Sequence, residues 1–256
     1  MMQLLEGRLN ELEQMHRYPD TLYAIGNTGL LKRPKISIVG TRRPTPYTKQ
    51  LTAELSSKLS RVGICIVSGA AMGVDGIAHQ NSMSGGTIAV MGNGLDIRYP
   101  AINKELIAAI ERYGLCLSQF EPGFKATNWS FVVRNEIVAA LGEALIVTQA
   151  DPGSGSLRSV EFAVQMGKPI YVLPQRIGES DGTNQLVNDG LAEVIYDIDA
   201  FVGRYAKAAL TSGDPFLEYC GSNPTFEEAV VKFGQKVYDY ELDGIIKVVN
   251  GKVEIA

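Results

Sequence analysis

The sequence has few of the residues on which many enzymes and secreted proteins depend. Among 256 residues there are three cysteines and two histidines. Cys65, Cys116 and Cys220 are far apart and form no C-x-x-C pair, so we expect reduced, mostly buried thiols in a cytoplasmic protein. With so few histidines, neither a histidine-rich metal site nor histidine-based catalysis is indicated.

Long apolar runs and a strong excess of charge are lacking as well. No stretch approaches the ~20 apolar residues of a membrane-spanning helix, and we expect neither a signal peptide nor contact with a membrane. The formal net charge is −4, so no global field attracts nucleic acid. Any anion-binding site must therefore arise from a local patch.

Short apolar runs recur from residue 35 onward and alternate with amphipathic stretches. They predict strands buried on both faces in KISIV, GICIVS, TIAVM, LCLSQF, ALIVTQ and PIYVLP. Between the first two runs, Thr45 can cap a helix, Pro46 suits its first position and Gly63 can end it. This alternation predicts an α/β fold with a doubly wound, mostly parallel sheet.

The pattern divides the chain into four segments. We predict a lead-in, a core, a linker and a C-terminal domain, at residues 1–34, 35–206, 207–214 and 215–256. In the last segment, Thr225 and Glu228 match a capping box, and Asn250-Gly251 predicts a hairpin with a type I′ turn. Two helices and a hairpin are typical of a winged helix, although a small packing or dimerisation appendage stays possible.

The C-terminal segment is acidic. From residue 207 onward it has 5 basic and 8 acidic side chains. An acidic winged helix is poorly suited to reading DNA. We therefore expect a protein–protein or regulatory role for this segment.

Loops rich in glycine, serine and threonine follow four of the predicted strands. They cover 39–45, 67–79, 90–100 and 149–156. Small residues let backbone N–H groups approach an anion, and hydroxyl groups add donors. Because the strands' carboxyl ends share one edge, the loops predict a site for a phosphate-bearing ligand, although each could be only a tight turn. The candidates in the first two loops are Gly40, Thr41, Ser68 and Gly69.

Arg42 and Arg43 add positive charge to the first loop. Their planar guanidinium groups suit phosphate oxygens and can stack on bases. Residues 42–61 contain five basic side chains against one acidic side chain, so the positive charge is local. The alternative is a pair of surface arginines neutralised by nearby carboxylates.

The stretch NWSFVVRNEIVAAL, 128–141, is the second candidate. Phe131, Arg134 and Asn135 fall near the start of a predicted helix, where they could stack a base and hold its phosphate. Lys125 lies just upstream. The alternative is that Trp129 and Phe131 are ordinary core residues.

The turn DPGSGSLRSVEFA raises the possibility of an enzyme. It is similar to the P-G-G-x-G-T-x-x-E motif of nucleoside monophosphate phosphoribohydrolases, with Ser154, Gly155 and Ser156 as the phosphate loop. Glu161 falls two residues late, which turns it by roughly 200° around the helix, away from the direction in which the motif's acid points.

His79 is expected to be a structural hydrogen-bonding residue, and Asp75 could cap its helix or orient its loop.

Eight phrases, in order, resemble the DNA processing protein A family, also called DprA or Smf. They are IVGTRRPTPY, VSGAAMGVDGIAH, GGTIAVMGNGLDIRYP, LSQFEPG, FVVRN, SGSL, YVLPQR and DGTNQLVNDGL, and they span residues 38–191. The resemblance implies a Rossmann-like core that binds single-stranded DNA, forms a homodimer and delivers the strand to the recombinase RecA during natural transformation. It implies no catalysis, cofactor or metal.

The same resemblance assigns residue roles. It makes Arg42 the arginine of the G-[ST]-R motif, places Phe131 before the R-N pair Arg134-Asn135, and gives Leu186 and Val187 as weak dimer candidates.

The sequence also departs from the family pattern. Gln119 stands where the family commonly has glutamate, and Glu136 replaces the arginine that usually follows R-N. Asn128 occupies a place that is basic in close relatives, and Lys125 could substitute for that charge. We therefore expect a less positive groove than usual.

Overall fold

The larger unit of the protein is built around one mixed sheet. The structure is a computed structural model that describes residues 2–211, 214–242 and 245–255. It has two units, Met1–Val202 and Gly203–Ala256. The strands of the first unit are β1 Gln3–Leu4, β2 Tyr23–Gly26, β3 Lys35–Val39, β4 Cys65–Ser68, β5 Thr87–Val90, β6 Leu115–Ser118, β7 Leu145–Val147, β8 Ile170–Val172 and β9 Glu193–Val194.

Helices connect the parallel strands. They are α1 Pro46–Arg61, α2 Val74–Ser82, α3 Lys104–Tyr113, α4 Asn128–Leu141, α5 Gly155–Gln165 and α6 Asp181–Asn188, and a further helix, α7 Ile198–Thr211, follows β9. Short 3-10 segments occur as well, one of which, Ala101–Asn103, leads into α3.

The strand order of the sheet is β1-β2-β6-β5-β4-β3-β7-β8-β9. Every pair from β6 to β9 is parallel, whereas β2 pairs antiparallel with both β1 and β6. The chain first winds outward from β3 to β6 and then returns to the other side of β3. A crevice therefore opens beyond the carboxyl ends of β3 and β7. The predicted doubly wound, Rossmann-like fold is confirmed.

Helix α1 shows how the sequence sets the local structure. The Thr45 hydroxyl accepts the Thr48 N–H, and Pro46 takes a position where no backbone donor is needed. Leu55 and Leu59 are fully buried on one face of the helix. Gly63, with φ of 91°, ends the helical region in a left-handed conformation that suits glycine.

The N-terminal lead-in differs from the prediction because it belongs to the same sheet. Strand β2 pairs with β6 along its whole length, and Leu12 and Ala24 are fully buried in the main core. Only Ala24 of β2 is buried, so this strand lacks the continuous apolar run of the central strands. The sequence therefore did not reveal that the sheet begins before residue 35.

Besides the end of α7, the smaller unit contains three described helices and a hairpin. These elements are α8 Pro215–Cys220, α9 Phe226–Phe233, α10 Gln235–Leu242, β10 Ile246–Val249 and β11 Lys252–Ile255. Thr225 and Glu228 form the predicted capping box. Asn250 and Gly251 both have positive φ, at 51° and 74°, as the predicted type I′ turn requires. The winged-helix assignment stays a prediction.

The stretch predicted as a linker is partly helical. Helix α7 continues through Thr211, and residues 212 and 213 lie outside the described part of the chain. The small residues of AKAAL were interpreted as linker-like, but alanine, lysine and leucine are strong helix formers.

The cysteines agree with expectation. All three are free and buried, and burial raises the pKa of Cys65 to about 12. Within the described ranges, no helix is long and apolar enough to cross a membrane.

Candidate functional site

The loop after β3 and the loop after β7 meet where the strand order reverses. The Thr41 N–H donates to the Gln149 carbonyl at 2.8 Å, and the Thr45 N–H donates to Gln149 Oε1 at 3.0 Å. With α4 and the loop after β4, they enclose a cleft of about 550 Å³, which we call the central cleft. Eleven of the thirteen residues predicted to bind DNA line it: Gly40, Thr41, Arg42, Arg43, Gly69, Phe131, Arg134, Asn135, Ser154, Gly155 and Ser156.

Gly40 allows the first loop to pass close to its neighbours. A Cβ at this position would lie 2.7 Å from Val74 Cγ2 and 3.1 Å from the Gln149 carbonyl oxygen. A side chain at this position would fit only if Val74 or the neighbouring loop shifted. The glycine therefore sets the path of the loop that carries the arginines.

The two arginines of this loop are exposed. Arg42 Cζ lies 5.9 Å from the centroid of the half-buried Phe131 ring, within the range of a cation–π contact. Tyr99 lies beyond that ring, at 6.0 Å between centroids. Within the described ranges neither Arg42 nor Arg43 forms an ion pair. The alternative of carboxylate-neutralised surface arginines is thus not seen.

Arg134 has a different environment from the one expected. It is 5% exposed, and its Nη1 donates to the carbonyls of Gly69 and Val90. The guanidinium group therefore joins α4 to the ends of two strands under the floor of the central cleft. The sequence predicted a phosphate contact, but the local position of Arg134 on α4 could not show that its side chain turns inward.

Asp75 is a buried acid whose charge interacts with that of Arg134. Its Oδ2 accepts the N–H groups of Gly69 at 3.2 Å and Ala71 at 3.3 Å. Burial raises the pKa of Asp75, and the Arg134 charge is the main influence opposing that rise. Burial likewise lowers the pKa of Arg134, with Asp75 opposing. Asp75 thus orients its loop, one of the two roles considered for it.

Asn135 connects α4 to the serine-rich turn. Its Oδ1 accepts from Arg134 Nε, and its Nδ2 donates to the Gly155 carbonyl, both at 3.1 Å. Ser154 and Ser156 share a hydroxyl hydrogen bond of 2.9 Å. Because α5 begins at Gly155 without a side-chain cap, its first N–H groups are available to an anion.

Two predicted binding residues lie outside the central cleft. Ser68 is fully buried and donates to the Ile38 carbonyl at 2.6 Å, because a hydroxyl inside a sheet needs a partner there. Lys125 is exposed on the loop between β6 and α4 but does not line the cleft. Ser68 is therefore structural, and no contact of Lys125 with the cleft is seen.

Of the two weak dimer candidates, only one is exposed. Leu186 is 8% exposed and packs in the main core, whereas Val187 is 37% exposed. Neighbouring residues on α6 point in different directions, which the sequence could not resolve. Leu186 is accordingly a core residue, and Val187 stays a candidate.

Glu136, one of the two departures expected to make the groove less positive, does not line the central cleft. It is buried on another face of α4, where Glu136 Oε1 accepts the His16 N–H at 2.7 Å. The side chain of Glu136 therefore fixes the N-terminal segment to α4.

Asn128, the second departure, does line the central cleft.

Other residues had weaker sequence indications. Trp129 is 62% exposed, so it is not the core residue considered as an alternative. His79 Nδ1 is 2.7 Å from Thr87 Oγ1, and burial lowers its pKa to about 3, as befits a neutral structural histidine. Gln149 and Tyr99 were missed, since only the folded chain shows that they contact the first loop and Phe131.

The fold and cleft define a Rossmann-like protein with a polar cleft at the point where the strand order reverses. The family model described as DNA recombination-mediator protein A matches residues 9–206. The chain therefore belongs to this family, which is the DprA/Smf family inferred from the sequence.

Individual relatives agree with this assignment. The chain is 37% identical over 185 residues to protein Smf of Synechocystis sp., covering 69% of this chain and 46% of that protein. It is 33% identical over 210 residues to DNA processing protein DprA of Bacillus subtilis, covering 80% and 70%. The match thus spans less than half of the first relative.

A solved structure shares the fold. It is that of DNA processing protein A from Helicobacter pylori, described by its single-stranded DNA binding mode. The TM-score is 0.79 at 42% identity, and the match covers 81% of this chain and 97% of that one.

Proposed function

We propose that this protein binds single-stranded DNA in the central cleft and helps to load RecA recombinase onto it during DNA uptake. The observation that carries the first part is Arg42, an exposed guanidinium group without an acidic partner in the described chain, beside the Phe131 ring. Together they offer a cation for a phosphate and an aromatic ring for a base. RecA loading rests on family membership.

The remaining parts of the proposal also follow from the family. We propose that the protein acts as a homodimer in the cytoplasm and has no catalytic activity of its own. A dimer would bring two central clefts to one strand and raise the avidity without new contacts. Val187 is the exposed candidate for the dimer contact.

The alternative is a nucleotide phosphoribohydrolase. The acid that the motif comparison offers is Glu161, but Glu161 is exposed, forms an ion pair with Arg158 at 2.7 Å and does not line the central cleft. These features favour binding over catalysis. Incubation with AMP separates the two functions, since release of free adenine would support the enzyme.

The test of the proposal is binding of oligo-dT by three variants at several salt concentrations. Arg42→Ala should weaken binding by about 1.5–3 kcal/mol and reduce the salt slope by about 0.7. Phe131→Ala should cost about 1–3 kcal/mol through lost stacking. Arg61→Ala, at the far end of α1, serves as the control with unchanged binding. Undiminished binding by Arg42→Ala would refute the site.

A further inference from the structure

A second cleft lies on the other side of the loop that carries Arg42 and Arg43. Its volume is about 570 Å³, and it shares only these two arginines with the central cleft. We call it the flanking cleft. Its other walls come from α1, the loop after β4, α2 and the 3-10 segment Ala101–Asn103.

The lining of the flanking cleft is positively charged. Lys49, from the first turns of α1, joins Arg42 and Arg43, and none of its lining residues is acidic. In the described ranges Lys49 has no ion pair, although two other lysines of the larger unit, Lys35 and Lys58, do. The central cleft, by contrast, includes Asp75 and Asp151. The flanking cleft therefore favours an anion at least as strongly.

Apolar surface accompanies these cations. Ile102 is 74% exposed and Met72 is 38% exposed, and both line the flanking cleft. The segment carrying Ile102 is held in place, because Asn103 Nδ2 donates to the carbonyls of Ala70 at 3.0 Å and Ala71 at 2.9 Å. Fixed apolar surface beside unpaired cations suits bases and phosphates of one polymer.

We propose that the flanking cleft binds the nucleotides adjoining those held in the central cleft, so that one single strand crosses the Arg42–Arg43 loop. This inference rests on the proposed function. Because both arginines line the two clefts, a phosphate at the loop lies between two binding surfaces. A short strand can be held by the central cleft alone, whereas a longer strand gains the contacts of Lys49 and Ile102.

The test compares oligo-dT of about 4 and about 16 nucleotides, the range of site sizes for single-strand binding folds. For Lys49→Ala we expect about threefold weaker binding of the long strand, the scale of one exposed ion pair, and a salt slope lower by about 0.7. The short strand should be unaffected, and Lys49→Arg should retain the long-strand affinity. Arg61→Ala is the matched control, because it removes a cation from the last turn of the same helix.

The outcomes separate the two proposals. If the unaltered protein binds neither strand, the proposed function is wrong and the flanking cleft fails with it. If both strands bind but Lys49→Ala matches Arg61→Ala in affinity and salt slope, the flanking cleft is wrong while the central cleft stands. Equal weakening of both strands by Lys49→Ala would also contradict it.

Discussion

Two arginines that look alike in the sequence have different environments. Arg42 is exposed beside Phe131, whereas Arg134 is 5% exposed and bonded to backbone carbonyls. An exposed guanidinium group can exchange water for a phosphate at small cost. A buried guanidinium group already donates hydrogen bonds to carbonyl groups, and these carbonyls would be left without a partner if the arginine were removed.

Arg134→Ala should therefore destabilise the protein by about 3–5 kcal/mol, because Asp75 would remain as an uncompensated buried charge. Urea unfolding measures this loss. Arg42→Ala is the control and should change the free energy of unfolding by no more than about 0.5 kcal/mol. Equal stability of the two variants would show that the Arg134 contacts are unimportant.

Gly40 gives a second prediction at the scale of one residue. Gly40→Ala should cost about 1–3 kcal/mol, because the added Cβ would overlap Val74 and the backbone of Gln149. Gly155→Ala is the matched control, since nothing lies within 4 Å of a Cβ built there. Thermal unfolding of both variants checks the difference, and similar melting temperatures would contradict it.

At the scale of an element, helix α4 makes contacts on two faces that have different roles. One face supplies Phe131 and Asn135 to the central cleft, and another buries Glu136 against the N-terminal segment. The segment before residue 35 thus supports the helix that carries part of the candidate site. This role explains why a charge change in the sequence need not change the charge of the cleft.

Glu136→Arg should destabilise the protein by about 1–3 kcal/mol without strengthening DNA binding, since a buried acceptor is replaced by an unpaired cation. Glu136→Gln keeps an oxygen acceptor for the His16 N–H and should be close to the unaltered protein in both measurements. Denaturation and oligo-dT binding are compared for the pair. Tighter binding by the arginine variant at unchanged stability would place Glu136 in the groove after all.

At the scale of the whole molecule, the two units depend on different interactions. The larger unit has its buried sheet, whereas the smaller unit has a small core around Phe216, Val237 and Val253. Asp214 adds polar contacts to the smaller unit. It accepts from Tyr240 at 2.6 Å, from Lys236 at 2.9 Å and from the Phe216 N–H.

These contacts make the stability of the smaller unit depend on pH. Burial acts to raise the pKa of Asp214, but the hydrogen bonds from Tyr240, Lys236 and Phe216 outweigh it and lower the pKa from 3.8 to about 2. The lowered pKa means that the stabilisation is present above pH 3.8 and is lost as the pH falls toward 2.

Asp214→Asn should therefore speed hydrogen exchange in residues 215–242 and 245–255 at pH 5, corresponding to a loss of about 1–3 kcal/mol. The difference from the unaltered protein should shrink as the pH is lowered toward 2. Asp239→Asn, an exposed change on the same unit, is the control. A difference that persists at low pH would contradict the assignment.

Local sequence pattern was sufficient to predict several elements of the fold. The six apolar runs became β3 to β8, Thr45 and Pro46 began α1, and Asn250-Gly251 formed its turn. The glycine-rich loops also had to share one edge of the sheet, because parallel strands end there. Most of the central cleft was predictable for that reason.

The direction of individual side chains depended instead on the packing of the folded chain. This packing turned Arg134, Glu136 and Leu186 inward, and it placed Ser68 against a strand carbonyl. It also added β2 to the sheet, through pairing with a strand about ninety residues away. These outcomes depend on contacts between distant segments, and the packing of the whole chain, not its local pattern, determines which groups are buried and paired.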